Sequence, residues 1–265
     1  MKIATFNVNS IRSRIDPVRQ WLCEHQPDVL AVQETKVQDD EFPLDAFAGI
    51  GYHVIFRGQK KYNGVALFSR LEPENVVDRL PGDDGGDARF LQADYGDITI
   101  VNTYVPQGRE MHSDAFAYKL AFFRCLQAYF VEQITPTSKW IWVGDLNVAR
   151  EAIDVHDPER LWGTVCFCQE VQDALESVVS AGLIDLFRLH HPGRPGLYTF
   201  WDYRVPNGFK RNLGWRLDYL MATASLADRC TRCEIDTACR GADKPSDHTV
   251  LWAEVAISPC PPKKS

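Results

Sequence analysis

Apolar, β-branched and aromatic residues fall in short runs along the chain, and nine of these runs have the length and content of buried strands: Lys2–Asn9, Val29–Glu34, Tyr52–Phe56, Gly64–Ser69, Phe90–Ala93, Ile98–Val105, Trp140–Asp145, Arg216–Met221 and Thr249–Ala256. Between them lie stretches with helical spacing. Asp16–His25 places Val18, Trp21 and Leu22 on one face, and Asp16-Pro17 suits a cap and first turn. Ser113–Ile134 carries Phe116, Leu120, Phe123 and Leu126 on one stripe, and Gln169–Ala181 ends at Gly182. Strands and helices alternate, yet adjacent strands such as those within Tyr52–Ser69 read as hairpins. The pattern predicts mixed sheets covered by helices, and nine or more strands are better housed in two packed sheets than in one.

Composition changes this picture little. The chain has 265 residues, 45% hydrophobic and 25% charged, ordinary for a globular protein. The expected organisation is one domain over 1–258 with a frayed tail at 259–265. There is no run of about 18 apolar residues and no charged-then-apolar start, so neither a membrane span nor a signal peptide is expected, and a cytoplasmic location is the default; a monomer is the separate expectation for its assembly. The net charge of −7 argues mildly against a polyanion partner. A site rich in carboxylates would also lower it, while basic residues gather elsewhere, as in Arg57-Gly58-Gln59-Lys60-Lys61 and Lys210-Arg211…Arg216. Eight cysteines without a secretion signal are expected as free thiols. Cys230, Cys233 and Cys239 resemble half of a zinc site, for which Cys260 and His248 are the nearby fourth candidates.

The chemistry is written at the strand ends. Asn7 and Asn9 follow the first strand, Glu34 the second, Tyr104 the run beginning at Ile98, and Asp145 and Asn147 the run beginning at Trp140. Asp218 lies within Trp215–Tyr219, and Asp247-His248 precedes the last strand. Taken singly, each is as well read as a turn residue, a cap or a structural histidine. Their recurrence at strand ends is what points to a shared site, because such ends cluster at one edge of a sheet. Residues two apart on a strand share a face, so Asn7 with Asn9, and Asp145 with Asn147, can converge. Oxygen donors of this kind suit magnesium or manganese.

Five blocks then carry a resemblance: Val32-Gln33-Glu34-Thr35-Lys36, Asn102-Thr103-Tyr104-Val105-Pro106-Gln107-Gly108, Gly144-Asp145-Leu146-Asn147, Gly214-Trp215-Arg216-Leu217-Asp218-Tyr219 and Ser246-Asp247-His248. In content and order they resemble the exonuclease III family of AP endonucleases, part of the endonuclease/exonuclease/phosphatase superfamily. The resemblance implies an α/β fold of the α+β type, a four-layer α-β-β-α sandwich of two mixed sheets. It also implies a magnesium-dependent enzyme, with manganese as a substitute. That enzyme would cleave 5′ to abasic sites in double-stranded DNA, degrade 3′ to 5′, and clean blocked 3′ ends, working near the nucleoid. It assigns Tyr104, Asp145, Asn147, Asp218 and His248 to catalysis. It assigns Asn7, Glu34, Asp145, Asn147, Asp247 and His248 to the metal, and Asn9, Gln107, Arg109, Lys119, Phe200, Trp215 and Leu217 to DNA, with Lys36 and Arg57 as further backbone contacts. Asn9 stands where relatives often carry Asp, and Cys166-Phe167-Cys168-Gln169-Glu170 departs from the family's Pro-Glu-Glu-Arg helix start, leaving out its basic residue. A phosphatase or phosphodiesterase acting on a nucleotide, lipid or inositol, and a catalytically silent DNA-binding homologue, are the alternative readings.

Overall fold

The computed structural model describes residues 1–241 and 243–257; the 259–265 tail and Cys260 lie outside them. Among the described residues, twelve strands form two six-stranded sheets. In the first, β11 (Cys230–Asp236), β12 (Val250–Val255), β1 (Lys2–Asn7), β2 (Val29–Gln33), β4 (Val65–Ser69) and β3 (His53–Arg57) lie side by side. In the second the order is β5 (Glu74–Val77), β6 (Phe90–Tyr95), β7 (Ile98–Tyr104), β8 (Trp140–Asp145), β10 (Asp218–Thr223) and β9 (Leu183–Asp185). Each sheet has one parallel pair at its centre, β1 with β2 and β7 with β8, and antiparallel neighbours elsewhere.

Three cores separate four layers. Between the sheets, Ile3, Ala31, Leu67, Ile100, Val143 and Leu220 pack against one another. Outside the first sheet, α1 (Ile15–His25) buries Val18, Trp21 and Leu22 against Ala4, Phe6 and Leu30. Outside the second, α2 (Asp114–Gln133) buries Phe116, Phe123 and Leu126 against Trp142, together with a helix at Gln169–Val179. Strand β8 shows why: Trp142 faces the helices and Ile141 and Val143 face the other sheet, as the two-residue alternation of a strand requires. The expected α-β-β-α sandwich is the observed one.

Helix ends follow local chemistry. The Ser113 hydroxyl accepts from the Phe116 amide at 3.2 Å and caps α2. The first helix begins at Ile15, one residue before the expected cap, so Asp16 and Pro17 fall in its first turn. The three strands missing from the sequence reading, β5, β9 and β11, include the outermost strand at each end of the second sheet and one end of the first. Strand β5 is nearly all exposed, and β11 is mostly so or half-buried, which removes the apolar run that marks a buried strand.

A polar contact ties the sheets together beneath the site. The Gln33 amide donates to Thr5 Oγ1 at 2.9 Å and to Asn102 Oδ1 at 2.8 Å, and the Asn102 amide donates to the carbonyls of Val32 and Ala66, each at 3.0 Å. These groups are fully buried, so the bonds fix the relative register of β2 and β7. No described helix is long and apolar enough to cross a membrane.

Candidate active site

The four central strands β1, β2, β7 and β8 all end at the same edge of the sandwich, which is where their terminal polar residues meet. Strands β10 and β12 run antiparallel to their neighbours, so their first residues arrive at that edge too. The Asn7 side-chain amide donates to Glu34 Oε1 at 2.9 Å and to Asp145 Oδ2 at 2.8 Å, joining the two sheets. Asp145 Oδ1 accepts from the Asn147 amide at 2.9 Å. Asn9 donates to Asp247 Oδ1 at 2.9 Å. His248 Nδ1 lies 2.8 Å from Asp218 Oδ2, and its Nε2 lies 3.6 Å from Asp145 Oδ2. Every residue assigned to catalysis or metal from the sequence is thus within this one cluster or on the wall beside it.

Unusual backbone holds several of these side chains. Asn9, Glu34, Lys36 and Asn147 all have left-handed φ, at 44°, 54°, 55° and 52°. For a glutamate this conformation costs on the order of 1–3 kcal/mol and survives only where its surroundings over-determine it. Here the segment is tied to its neighbours at the edge of the first sheet: Ser10 N–H to Glu34 O at 2.8 Å, Thr35 N–H to Gly64 O at 3.2 Å, and Lys36 N–H to Asn63 O at 2.9 Å. Gly144, just before Asp145, has φ 139° and lies so close to β7 that a Cβ would stand 1.9 Å from Thr103 O. Only glycine fits where β8 approaches β7 this tightly.

Burial and charge set the protonation states. Burial raises the Asp145 carboxyl to about 7, against the lowering pull of His248. Burial alone would depress His248, yet the carboxylates of Asp218 and Asp145 outweigh it and hold the imidazole up at about 10. Burial would also raise Glu34, but the charge and hydrogen bond of Lys36 at 2.8 Å, with the Asn7 amide, keep it below its usual value. Tyr104 is pushed well up by burial and by Glu34 and Asp145, so its hydroxyl keeps its proton.

An open cleft of about 530 Å³ leads to this cluster, lined by the polar Glu34, Tyr104, Asp145, Asn147, Asp247 and His248 and by the apolar Phe200, Trp215, Leu217 and Cys166. The Phe200 ring sits 4.8 Å from the His248 ring. Phe200 and Trp215 face each other in a short antiparallel bridge, so the apolar wall is built by two crossing segments. Gln107 and Arg109 are exposed at the rim.

Some expected contacts are corrected. Lys119 is fully buried: its ammonium donates to the carbonyls of Gln107, Asn147 and Val165, so it is not available to a DNA backbone. Arg216 is fully buried between Asp154 and Asp185, at 2.7 and 2.8 Å, and belongs to no surface patch. Arg57 is bound to the carbonyls of Asp78 and Gly86 at 2.6 and 2.7 Å, and Lys36 is turned onto Glu34 and Asn9. Among the described residues, Cys230, Cys233 and Cys239 form no metal-holding group, and Cys233 lies in the core between the sheets. Two residues went unnoticed in sequence. The Thr199 hydroxyl accepts from the Leu217 and Asp218 amides at 3.0 and 3.1 Å, and the Ser246 hydroxyl donates to Asn7 O at 2.7 Å. Both are common polar types with no motif of their own; for Ser246, its place directly before Asp247-His248 was the available signal.

Asp145, Asp218 and His248 also have the spacing of a metal-holding trio. His248 Nδ1 is engaged by Asp218, which leaves Nε2 as the ring nitrogen facing Asp145. The oxygens of Glu34 and Asn147 line the same cleft beside this trio.

The comparisons agree with this geometry. Residues 4–248 match the model of the Endonuclease/Exonuclease/phosphatase family. Exodeoxyribonuclease III of Haemophilus influenzae is 33% identical over 266 residues, covering 96% of this chain and 99% of its own. An AP endonuclease from Archaeoglobus fulgidus superposes with a TM-score of 0.94 at 45% identity, over 97% of this chain and 100% of that one. A 3'-5' exonuclease from Neisseria meningitidis superposes with a TM-score of 0.93 at 33% identity, with the same coverage. The chain therefore belongs to the endonuclease/exonuclease/phosphatase family, in its exonuclease III branch of AP endonucleases, and is a hydrolytic nuclease.

Proposed function

We propose that this cleft hydrolyses the phosphodiester on the 5′ side of an abasic site in duplex DNA, and that it also acts at 3′ ends, as a 3′-to-5′ exonuclease that removes blocking groups. The observation that carries the reading is the meeting of two functions in one cleft. A carboxylate and imidazolium cluster sits at its floor, and an apolar wall of Phe200, Trp215 and Leu217 stands beside it. A base-free sugar loses little stacking on leaving the duplex and suits a small apolar pocket, whereas a normal nucleotide is too large. The relatives named as AP endonuclease and exonuclease support the same chemistry.

Magnesium, with manganese as a substitute, fits the donors present. They are hard oxygens, and the cluster draws cations, as the Lys36 ammonium 2.8 Å from Glu34 Oε2 shows. Glu34, Asn7, Asp145, Asn147 and Asp247 would hold the ion, which when bound neutralises charge on the phosphate. The remaining work falls to side chains. Asp145, whose Oδ2 faces His248 Nε2 at 3.6 Å on the cleft floor, takes the proton of the attacking water. His248, charged and oriented by Asp218, donates from Nε2 to a phosphate oxygen. Tyr104 donates its retained proton to the same developing charge. Gln107 and Arg109 at the rim position the backbone without reading sequence.

The test is a nicking assay on a duplex with a single abasic analogue, beside an undamaged duplex and a phosphomonoester, with magnesium, manganese or EDTA. Metal-dependent nicking confined to the abasic strand is expected. Equal cleavage of the undamaged duplex, or hydrolysis of the phosphomonoester alone, would reject the proposal.

A further inference from the structure

We infer that Lys119 is a positioning residue for the cleft, one ammonium tying together the three loops that wall it. The inference rests on the cleft being the substrate site. Lys119 projects from α2 and is fully buried, and its Nζ donates to Gln107 O at 3.2 Å, Asn147 O at 2.6 Å and Val165 O at 2.7 Å. An ammonium has three protons, and three carbonyls receive them. Each carbonyl belongs to a different segment: the loop after β7, the turn after β8, and the approach to the helix at Gln169. All three residues line the cleft.

The seating is close. Gly108 has φ 97°, and a Cβ there would stand 3.3 Å from Lys119 Cδ and from Phe116, so the Gln107–Arg109 turn rests on the lysine stem. The Gln107 side chain in turn accepts from the Arg109 amide at 2.6 Å, fixing the rim. Asn147 needs such an anchor most. Its φ of 52° is left-handed, and its side-chain amide reaches back to Val105 O at 2.9 Å. Holding its carbonyl at 2.6 Å fixes the peptide that aims its side chain. Burying a charge among neutral carbonyls is expensive, and an apolar residue of the same length would fill the space at less cost. The charge is explained by the three-way bond it makes, which no uncharged side chain can reproduce.

The experiment is a double-mutant cycle of Lys119→Met with Asn147→Ala, read as kcat and KM on the abasic duplex well below the melting temperature of every variant. A merely structural lysine would lower the melting temperature and leave kcat of the folded protein alone. The expected result is a loss of kcat of roughly 30-fold with KM nearly unchanged, shrinking to less than about fivefold in the Asn147→Ala background. Multiplicative losses, or a wild-type kcat, overturn the inference. If Lys119→Met does not fold, Lys119→Arg is read in the same cycle; its planar fork cannot reach three carbonyls in this arrangement. The same outcomes are expected of it, and the same ones overturn. A wild-type protein inactive on every DNA substrate would reject the proposed function instead. The clamp is then read by amide hydrogen exchange over residues 105–109, 146–149 and 164–166. Either variant should exchange roughly tenfold faster there, and unchanged exchange overturns it.

Discussion

Replacing Asp218 by Asn tests whether the buried pair with His248 works as described. The two side chains are 2.8 Å apart and essentially without solvent exposure. Asn keeps the shape and removes the charge. The imidazolium then has Asp145 as its remaining carboxylate partner, at 3.6 Å from the other nitrogen. Breaking one side of a buried pair costs about 3–5 kcal/mol of stability, less whatever Asp145 returns. The pKa of His248 is held up at about 10 chiefly by Asp218 working against burial, so it must fall in the variant. A drop of about one unit corresponds to 1.36 kcal/mol, and loss of a charged donor to the transition state costs roughly 2.7–4 kcal/mol, or about 100- to 1000-fold in kcat. The sign of the stability effect follows from the raised value. The pair's contribution is complete below the ordinary histidine pKa of 6.5 and is lost as pH rises through about 10. The stability gap between wild type and Asp218→Asn should therefore be widest near neutral pH and below, and should close towards pH 10. The assays are an NMR titration of the His248 ring in metal-free protein, urea melts across that pH range, and nicking rates. A variant with the wild-type His248 titration and full kcat would refute the reasoning.

Other expectations follow from the same geometry. Arg216→Met should lower stability by about 3–5 kcal/mol in a thermal or urea melt, because Asp154 and Asp185 are left buried without their partner; a change below about 1 kcal/mol would show that Arg188 and Arg150 replace it. Arg216 and Arg188 hold Asp154 below its usual value against burial, so its contribution is present above the ordinary carboxylate pKa and is lost as pH falls through the lower folded value, steepening acid unfolding in the wild type relative to Asp154→Asn. Trp215→Ala should narrow the ratio of abasic to intact cleavage while leaving metal half-saturation unchanged; unchanged discrimination would remove Trp215 from the pocket wall. Asn9→Asp adds a carboxylate beside Asp247, so the magnesium concentration for half-activity should fall, and an unchanged value would place Asn9 outside the metal's reach.

The strand ends were legible because two independent rules coincide there. A parallel pair at the centre of a sheet is largely buried on both faces and reads as a near-continuous apolar run, so β1, β2, β7 and β8 declare themselves through Ile3–Phe6, Val29–Val32, Ile98–Val101 and Trp140–Val143, broken only by Thr5 and Thr99. Where such a run stops on Asn, Glu, Tyr or Asp, the polar residue must lie at the sheet edge. Edge strands obey neither rule. Strand β5 is exposed along most of its length, and its pairing to β6 is irregular, so its residues carry no pattern to read. The ends of β1 and β8 meet across the sandwich in the Asn7–Asp145 contact, a pairing that sequence could not supply.

Basic residues misled for a related reason. A charged side chain is exposed on average, and the rule fails wherever partners meet a charge on all sides. Arg216 and Lys119 are both fully buried, one among carboxylates and one among carbonyls. Their partners come from distant parts of the chain: Asp154 and Asp185 for one, Gln107, Asn147 and Val165 for the other. Spacing along a sequence reports faces of a single element. It cannot report which loops close around a side chain from three directions, and that closure is what turns a cation from a surface feature into a part of the frame. The site therefore has two kinds of residue. The acids and the imidazole lie at the ends of apolar runs and show themselves in sequence. The cations that set the walls around them are visible only once the loops are in place.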